Sequence, residues 1–198
     1  MTGDLGLRER KKLERRRRIE AAAIDLFERD GFSATTIEAI AARADIAPRT
    51  FFSYFATKED VVLADYAGRL DRIVDALAER PADEAPWAAL RAAFLGVADD
   101  YLTHRDELVR RFAIMAVNPS VSARNLQLQA GWEDALAVVL TQRCRYLAGD
   151  VTPQLLASAA LACMRSSLRH WQMTGRRSDL PGLVAGCFDQ FGAGMDGV

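Results

Sequence analysis

The stretch from Thr35 to Lys58, TTIEAIAARADIAPRTFFSYFATK, limits the possible folds more than any other part of this 198-residue chain. Thr35 is expected to cap a helix, with Glu38 three residues on reaching back to its amide in a capping box. Ile37, Ile40, Ala41 and Ala44 recur at i, i+3, i+4 and i+7, so one face is apolar and its side chains are small. A second helix can cross close to such a face. Asp45 tolerates a turn conformation, Ile46 plugs the corner, and Ala47-Pro48 opens the next helix, where the missing proline N–H has no bond to lose. That second helix, roughly Pro48 to Phe52, is too short to stand alone and must be held by packing. It offers Arg49, Thr50 and Ser53 outward. Two short helices joined by a tight turn in this way form the pattern of a DNA-binding helix-turn-helix.

Charge distribution points the same way. The net charge is only −1, yet residues 1–18 hold Arg8, Arg10, Lys11, Lys12, Arg15, Arg16, Arg17 and Arg18 against Asp4, Glu9 and Glu14. A basic segment on an acidic body is an electrostatic footprint for phosphate. Residues 1–7 are expected to be unordered, with Arg8 to Arg18 starting helical and frayed. They read as an arm along the DNA backbone or in the minor groove, or else as a solvated tail.

Half of the residues are apolar, while glycine (13) and proline (6) are scarce, which makes an all-α fold the default. No apolar run approaches the roughly 20 residues that span a bilayer, and no apolar segment follows the basic N-terminus as in a secretory signal. Cys144, Cys163 and Cys187, without a C-x-x-C pair, fit reduced thiols in a cytoplasm.

Ile19, Ala22, Ala23, Leu26 and Phe27 form a stripe that predicts a first helix ending near Arg29, with Gly31 at its left-handed cap. Phe32 then folds back into the core. A long helix is expected from Lys58 to about Glu79, with Val62, Tyr66, Leu70, Ile73, Val74 and Leu77 on one face. Residues 80–86 read as a loop. Five further helices are expected over about 85–103, 106–117, 120–147, 152–174 and 179–193, with breaks at His104-Arg105, Asn118-Pro119, Gly149-Asp150 and Gly175-Arg176. The total is about nine helices.

In one unbroken frame from Gly31-Phe32 through Thr35-Thr36, Ile40-Ala41, Ala44, Ile46, Thr50 and Tyr54-Phe55 to Lys58, the chain resembles the tetracycline-repressor (TetR) family of transcriptional regulators. The resemblance implies a basic arm (1–18), a three-helix DNA-binding domain (19–58) and a helical ligand-binding and dimerisation body (59–198). Thr50, Tyr54, Lys58 and Thr36 match positions that contact phosphates in the family, and Pro48 matches one that contacts bases. Arg49 is the base-reading candidate on chemical grounds, because its fork matches the two major-groove acceptors of guanine. Phe52 departs from the family's usual tyrosine. It lacks a hydroxyl for phosphate and receives no polar role.

The segments RRFAIMAVNPS at 110–120 and RSSLRHWQMTG at 165–175 resemble the branch associated with mycofactocin clusters, which implies a long acyl-CoA or fatty-acid-like effector. Trp87, Phe94, Tyr101, Phe112, Met115, Trp132 and Met164 are ordinary core residues on their own chemistry; the resemblance makes some of them the lining of an effector cavity. Arg111 and Arg165 are candidates for an anionic head group, or are salt-bridge partners. Leu155, Ala159, Ala162, Leu183, Val184, Cys187 and Phe191 on the last two helices are more apolar surface than one buried face needs. The resemblance implies that these helices pair in a four-helix homodimer bundle.

Nothing in the sequence supports catalysis, a metal or a cofactor. His104 and His170 are the only histidines, and no G-x-S-x-G, Gly-rich phosphate loop or H-E-x-x-H occurs. The reading is a cytoplasmic repressor whose dimer leaves a palindromic double-stranded operator when a small apolar effector shifts the long linking helix, with no membrane partner. The alternative is a helical small-molecule carrier or sensor whose head contacts protein. Steep salt dependence marks the first and not the second.

Overall fold

Alternating apolar stripes and a shortage of chain breakers produce helices throughout. In a computed structural model, which describes residues 6–174 and 179–195, they are α1 (Leu7–Asp30), α2 (Ile37–Arg43), α3 (Pro48–Phe51), α4 (Lys58–Val62), α5 (Tyr66–Ala78), α6 (Pro86–Thr103), α7 (Arg105–Val117), α8 (Pro119–Cys144), α9 (Thr152–Met173) and α10 (Leu180–Met195). No strand occurs among the described residues. Most of the stretch expected to be unordered, and the Gly175-Arg176 break, lie outside them.

The chain forms two compact units. The first holds the residues up to Ala64 together with Asp106–Asn125; the second holds Asp65–Arg105 and the residues from Leu126 onward.

In the first unit α1 buries Ile19, Ala22, Ala23, Ile24, Leu26 and Phe27. It ends where Gly31 takes a φ of 88°, a value that disfavours side chains, and donates its amide to Phe27 O. Phe32 returns to pack its ring 4.8 Å from that of Phe27. The α1 helix also runs unbroken through the basic segment from Leu7, so the expected frayed arm is helical there. Arginine, lysine, leucine and glutamate are all good helix formers, and this stretch contains no breaker. Arg110 of α7 bonds Asp25 Oδ1 (2.6 Å) and both carboxylate oxygens of Glu28. These bonds hold its guanidinium firmly in the charged form.

The expected long helix from Lys58 is two helices, α4 and α5, separated by a turn at residues 63–65, which brings the total among the described residues to ten. The cause lies in the carbonyls at the end of α4. Arg111 Nη1 donates to Val61 O (2.5 Å) and Val62 O (3.1 Å), and Arg16 Nη2 donates to Ala64 O (2.6 Å). Ala64 N tightens onto Val61 O at 3.3 Å, in place of the spacing of an α-helix. The start of α4 carries the capping box: Thr57 Oγ1 accepts from Asp60 N, and Asp60 Oδ2 accepts from Thr57 N.

The second unit is built around α6, α9 and α10. Leu180, Val184 and Phe188 of α10 follow at i, i+4 and i+8 and are fully buried, as are Ala89, Leu90 and Phe94 of α6. Trp87 donates its indole N–H to Phe188 O at 3.1 Å, and a Cβ on Gly192 would come within 2.9 Å of Trp87 Nε1, which explains glycine there. Ser167, fully buried in α9, donates to Cys163 O at 2.8 Å. The loop after α5 is closed by Arg143, whose guanidinium donates to Arg80 O, Pro81 O and Glu84 O. The helix expected over 120–147 stops at Cys144, where Arg145 takes a φ of 55°.

Candidate nucleic-acid interface

The site lies wholly in the first unit. Thr36, not Thr35, caps α2: its Oγ1 accepts from Ala39 N at 3.1 Å, and the residue three on from it is Ala39, so no capping box forms here. Thr35 is buried and donates its hydroxyl to Gly31 O at 2.8 Å, tying the α1–α2 connection. Either threonine could serve as the cap from sequence, and packing against α1 decides between them. The Thr36 hydroxyl proton stays available to a phosphate oxygen.

Asp45 makes the turn with a φ of 53°, and Ile46 N donates back to Ala41 O at 3.0 Å. Arg18 locks this turn from α1, donating to Ala44 O with Asp45 Oδ2 3.5 Å away. That role had no sequence signal, because Arg18 lies 26 residues from Ala44 in a run of four arginines. Arg16 is similarly committed, to Glu20 (3.0 Å) and Ala64 O, with its guanidinium over the Phe55 ring. Arg15 and Arg17 point outward and are exposed. The four arginines expected to meet DNA together thus divide into two that organise the head and two that face solvent.

Pro48 opens α3 at its first turn, as expected. Pro48, Arg49, Phe52 and Ser53 are exposed, Thr50 and Tyr54 are half-buried, and Phe51 and Phe55 are core. Lys58 is half-buried and donates its ammonium to Phe32 O (2.8 Å) and Thr35 O (2.7 Å), above the Phe32 ring. One of its three protons is left for a phosphate. No carboxylate occurs from Ile46 to Lys58. This face can bind an anionic duplex.

The effector candidates do not form one group. Arg111, Phe112 and Met115 belong to the first unit. Arg111 spends all five N–H donors: Nε on Glu107, Nη1 on Val61 O and Val62 O, Nη2 on Glu20 and Glu107. It has none left for an anionic head group, so its place is structural. In the second unit Phe94, Tyr101, Trp132 and Met164 are buried and Trp87 is partly so, while Arg165 is exposed and donates to Gln129 Oε1 at 2.9 Å. Arg69, which the sequence reading passed over, is buried against Tyr101, donating to its hydroxyl at 3.2 Å and to Asp65 at 2.8 Å.

The dimerisation candidates also divide. Leu155 (53% exposed) and Phe191 (42%) face outward, and Ala162, Leu183 and Cys187 are partly exposed. Ala159 is buried and Val184 is fully buried within its own chain, so Val184 packs α10 and offers no surface to a second copy.

An all-helical chain carrying a helix-turn-helix with a basic, carboxylate-free reading face defines a helix-turn-helix DNA-binding protein. A family model described as bacterial regulatory proteins, tetR family, matches residues 19–64, and one described as the MftR C-terminal domain matches residues 84–196. The chain is 29% identical over 182 residues, 90% of its length and 89% of the relative's, to a Mycobacterium tuberculosis protein named as the mycofactocin biosynthesis transcriptional regulator MftR. It is 33% identical over 175 residues, 85% of its length and 77% of the relative's, to the HTH-type transcriptional regulator TcmR of Streptomyces glaucescens. Its fold is similar to that of NalD, the secondary repressor of the MexAB-OprM efflux pump of Pseudomonas aeruginosa, with a TM-score of 0.65 and 19% identity over 91% of this chain and 96% of that one. It is also similar to Thermus thermophilus FadR, a TetR family repressor in complex with lauroyl-CoA, with a TM-score of 0.58 and 24% identity over 88% and 91%. The chain belongs to the TetR family of bacterial transcriptional regulators, and is a DNA-binding protein of that family with an MftR-type C-terminal domain.

Proposed function

We propose that this regulator is a cytoplasmic repressor that binds a palindromic operator as a homodimer and is released by a small effector with an apolar acyl chain. The observation that carries the reading is the α3 face, where exposed Pro48, Arg49 and Ser53 stand with no carboxylate from Ile46 to Lys58. Arg49 reads a guanine; Thr36, Thr50, Tyr54 and Lys58 hold phosphates; Arg15 and Arg17 add charge along the backbone. A helix as short as α3 reads few base pairs, so two heads about one helical turn apart are needed for a site of useful length. Leu155 and Phe191, with the partly exposed Ala162, Leu183 and Cys187, supply the apolar surface for pairing.

The MftR-type C-terminal domain, and the lauroyl-CoA held by the Thermus relative, support an acyl effector. It would bind in the second unit, among Trp87, Phe94, Tyr101, Trp132 and Met164, with Arg165 toward its anionic end. Release is a population shift, and requires the effector to prefer the conformation that does not fit the operator. The chain passes between the units at 64/65, 105/106 and 125/126. The turn at residues 63–65 falls at the first of these passages.

Selection of bound DNA from a random pool tests the reading. A palindromic motif with steeply salt-dependent affinity is the expected result, and no enrichment by a folded dimer would overturn it. On the selected operator, lauroyl-CoA should release the protein where coenzyme A alone does not. Equal effects of the two would remove the acyl chain from the proposal.

A further inference from the structure

Phe52 is 58% exposed, although it is a large apolar ring on a face otherwise made of Pro48, Arg49 and Ser53. It continues α3 with helical angles (φ −66°, ψ −12°), so it neighbours Pro48 at i+4 and Arg49 at i+3. Its ring does not fold inward. It packs T-shaped with the ring of the fully buried Phe51, with centroids 5.6 Å apart and planes at 84°. Without a hydroxyl it has nothing to give a phosphate. Among the base edges in the major groove, the one apolar group is the thymine 5-methyl.

Resting on the operator-binding reading, we infer that Phe52 is a specificity-determining residue that reads a thymine methyl in the major groove, one or two base pairs from the base read by Arg49. The spacing follows from the separation of about 5–6 Å between helical neighbours and a rise of about 3.4 Å per base pair. Phe52 thereby favours thymine over cytosine at a position where Arg49 makes no bond. A tyrosine at 52 could turn its hydroxyl toward a phosphate; phenylalanine keeps only the apolar contact.

The test uses the full-length protein and its selected operator. Each thymine of a half-site is replaced by deoxyuridine, which removes only the methyl group. At one position the wild type should bind roughly fourfold more weakly, the value of one buried methyl. Phe52→Ala, whose circular dichroism should match the wild type, should bind the thymine and uracil operators equally. A scan that is silent at every thymine, or a loss that persists unchanged in Phe52→Ala, overturns the inference. If Phe52→Ala binds too weakly to compare, 5-iododeoxyuridine at the same position should photo-crosslink to Phe52 of the wild type, and a crosslink to any other residue overturns it. Operator binding with a silent scan sinks this inference alone; failure to select any operator sinks the DNA-binding reading and this inference with it.

Discussion

Arg111 Nη2 lies 2.9 Å from Glu20 Oε2, an ion pair between α7 and α1 with both side chains largely out of solvent. The same guanidinium closes the end of α4 through Val61 O and Val62 O. Breaking a buried pair by removing one partner costs more than the pair contributes, because the other charge stays buried. Arg111→Ala should therefore lower unfolding stability by about 3 kcal/mol, read by denaturant titration. Glu20→Gln in the same background should recover part of that loss, and a neutral Arg111→Ala would remove the clamp.

The two neighbouring threonines should separate. Thr36→Ala loses a helix cap and should cost about 1 kcal/mol of stability, with a further loss of operator affinity at the phosphate. Thr35→Val strands no charge but removes the hydroxyl bond to Gly31 O, and should weaken stability without altering the salt dependence of binding. Thermal unfolding and filter binding on both variants check the assignment.

Arg15 and Arg17 should behave unlike Arg16 and Arg18. Neutralising an exposed arginine that meets a phosphate should flatten the salt slope by about one unit and leave stability unchanged. Arg18→Ala should instead loosen the turn at Ala44 and lower affinity for all sequences. Arg49→Ala should cost roughly 1–3 kcal/mol and relax preference at one base pair. Unchanged affinity and base preference would take Arg49 out of the reading role.

Most of the helices could be read from periodicity alone, including the turn at Asp45 and the proline-led α3. Three things could not. The break after α4 was invisible because Lys58–Glu79 keeps an apolar stripe throughout, and the groups that interrupt it, Arg16 and Arg111, arrive from 48 and about 50 residues away. The division of the arginine run into structural and exposed members depends on which carbonyls lie beside α1. The burial of Val184 depends on how α10 turns its faces toward its neighbours, which a stripe of leucines, valines and cysteines on consecutive faces does not specify.

Glutamate at Leu155 or Phe191 should convert a dimer to a folded monomer, read by sedimentation with circular dichroism. Val184→Glu buries an unpaired charge and should unfold the chain instead. Monomers from Val184→Glu with full helicity would place the interface differently.

Burial, with the neighbouring Cys187 adding to it, pushes the Cys163 thiol up to about 11. Its folded value is above its unfolded one, so the unfolded chain ionises first. Stability from keeping this thiol neutral is complete below about pH 8.5 and is lost as pH rises toward 11. Between pH 8 and pH 10.5 the wild type should lose more stability than Cys163→Ala, and at pH 8 a disulfide reagent should label native Cys163 far more slowly than the unfolded chain. Equal pH slopes for the two proteins would count against a buried neutral thiol.

The first unit takes its closing residues from two distant parts of the chain, residues up to Ala64 and Asp106–Asn125. An excised fragment ending at Ala64 would carry α1 to α4 but leave Val61 O and Val62 O without the guanidinium that caps them, and Glu20 with Arg16 alone of its two cations. The reading head is therefore not a portable cassette. A chimaera that swaps operator preference between relatives should transplant α7 and the start of α8 along with the first 64 residues, and a graft cut at the linear boundary should yield a protein that folds poorly whatever its effector.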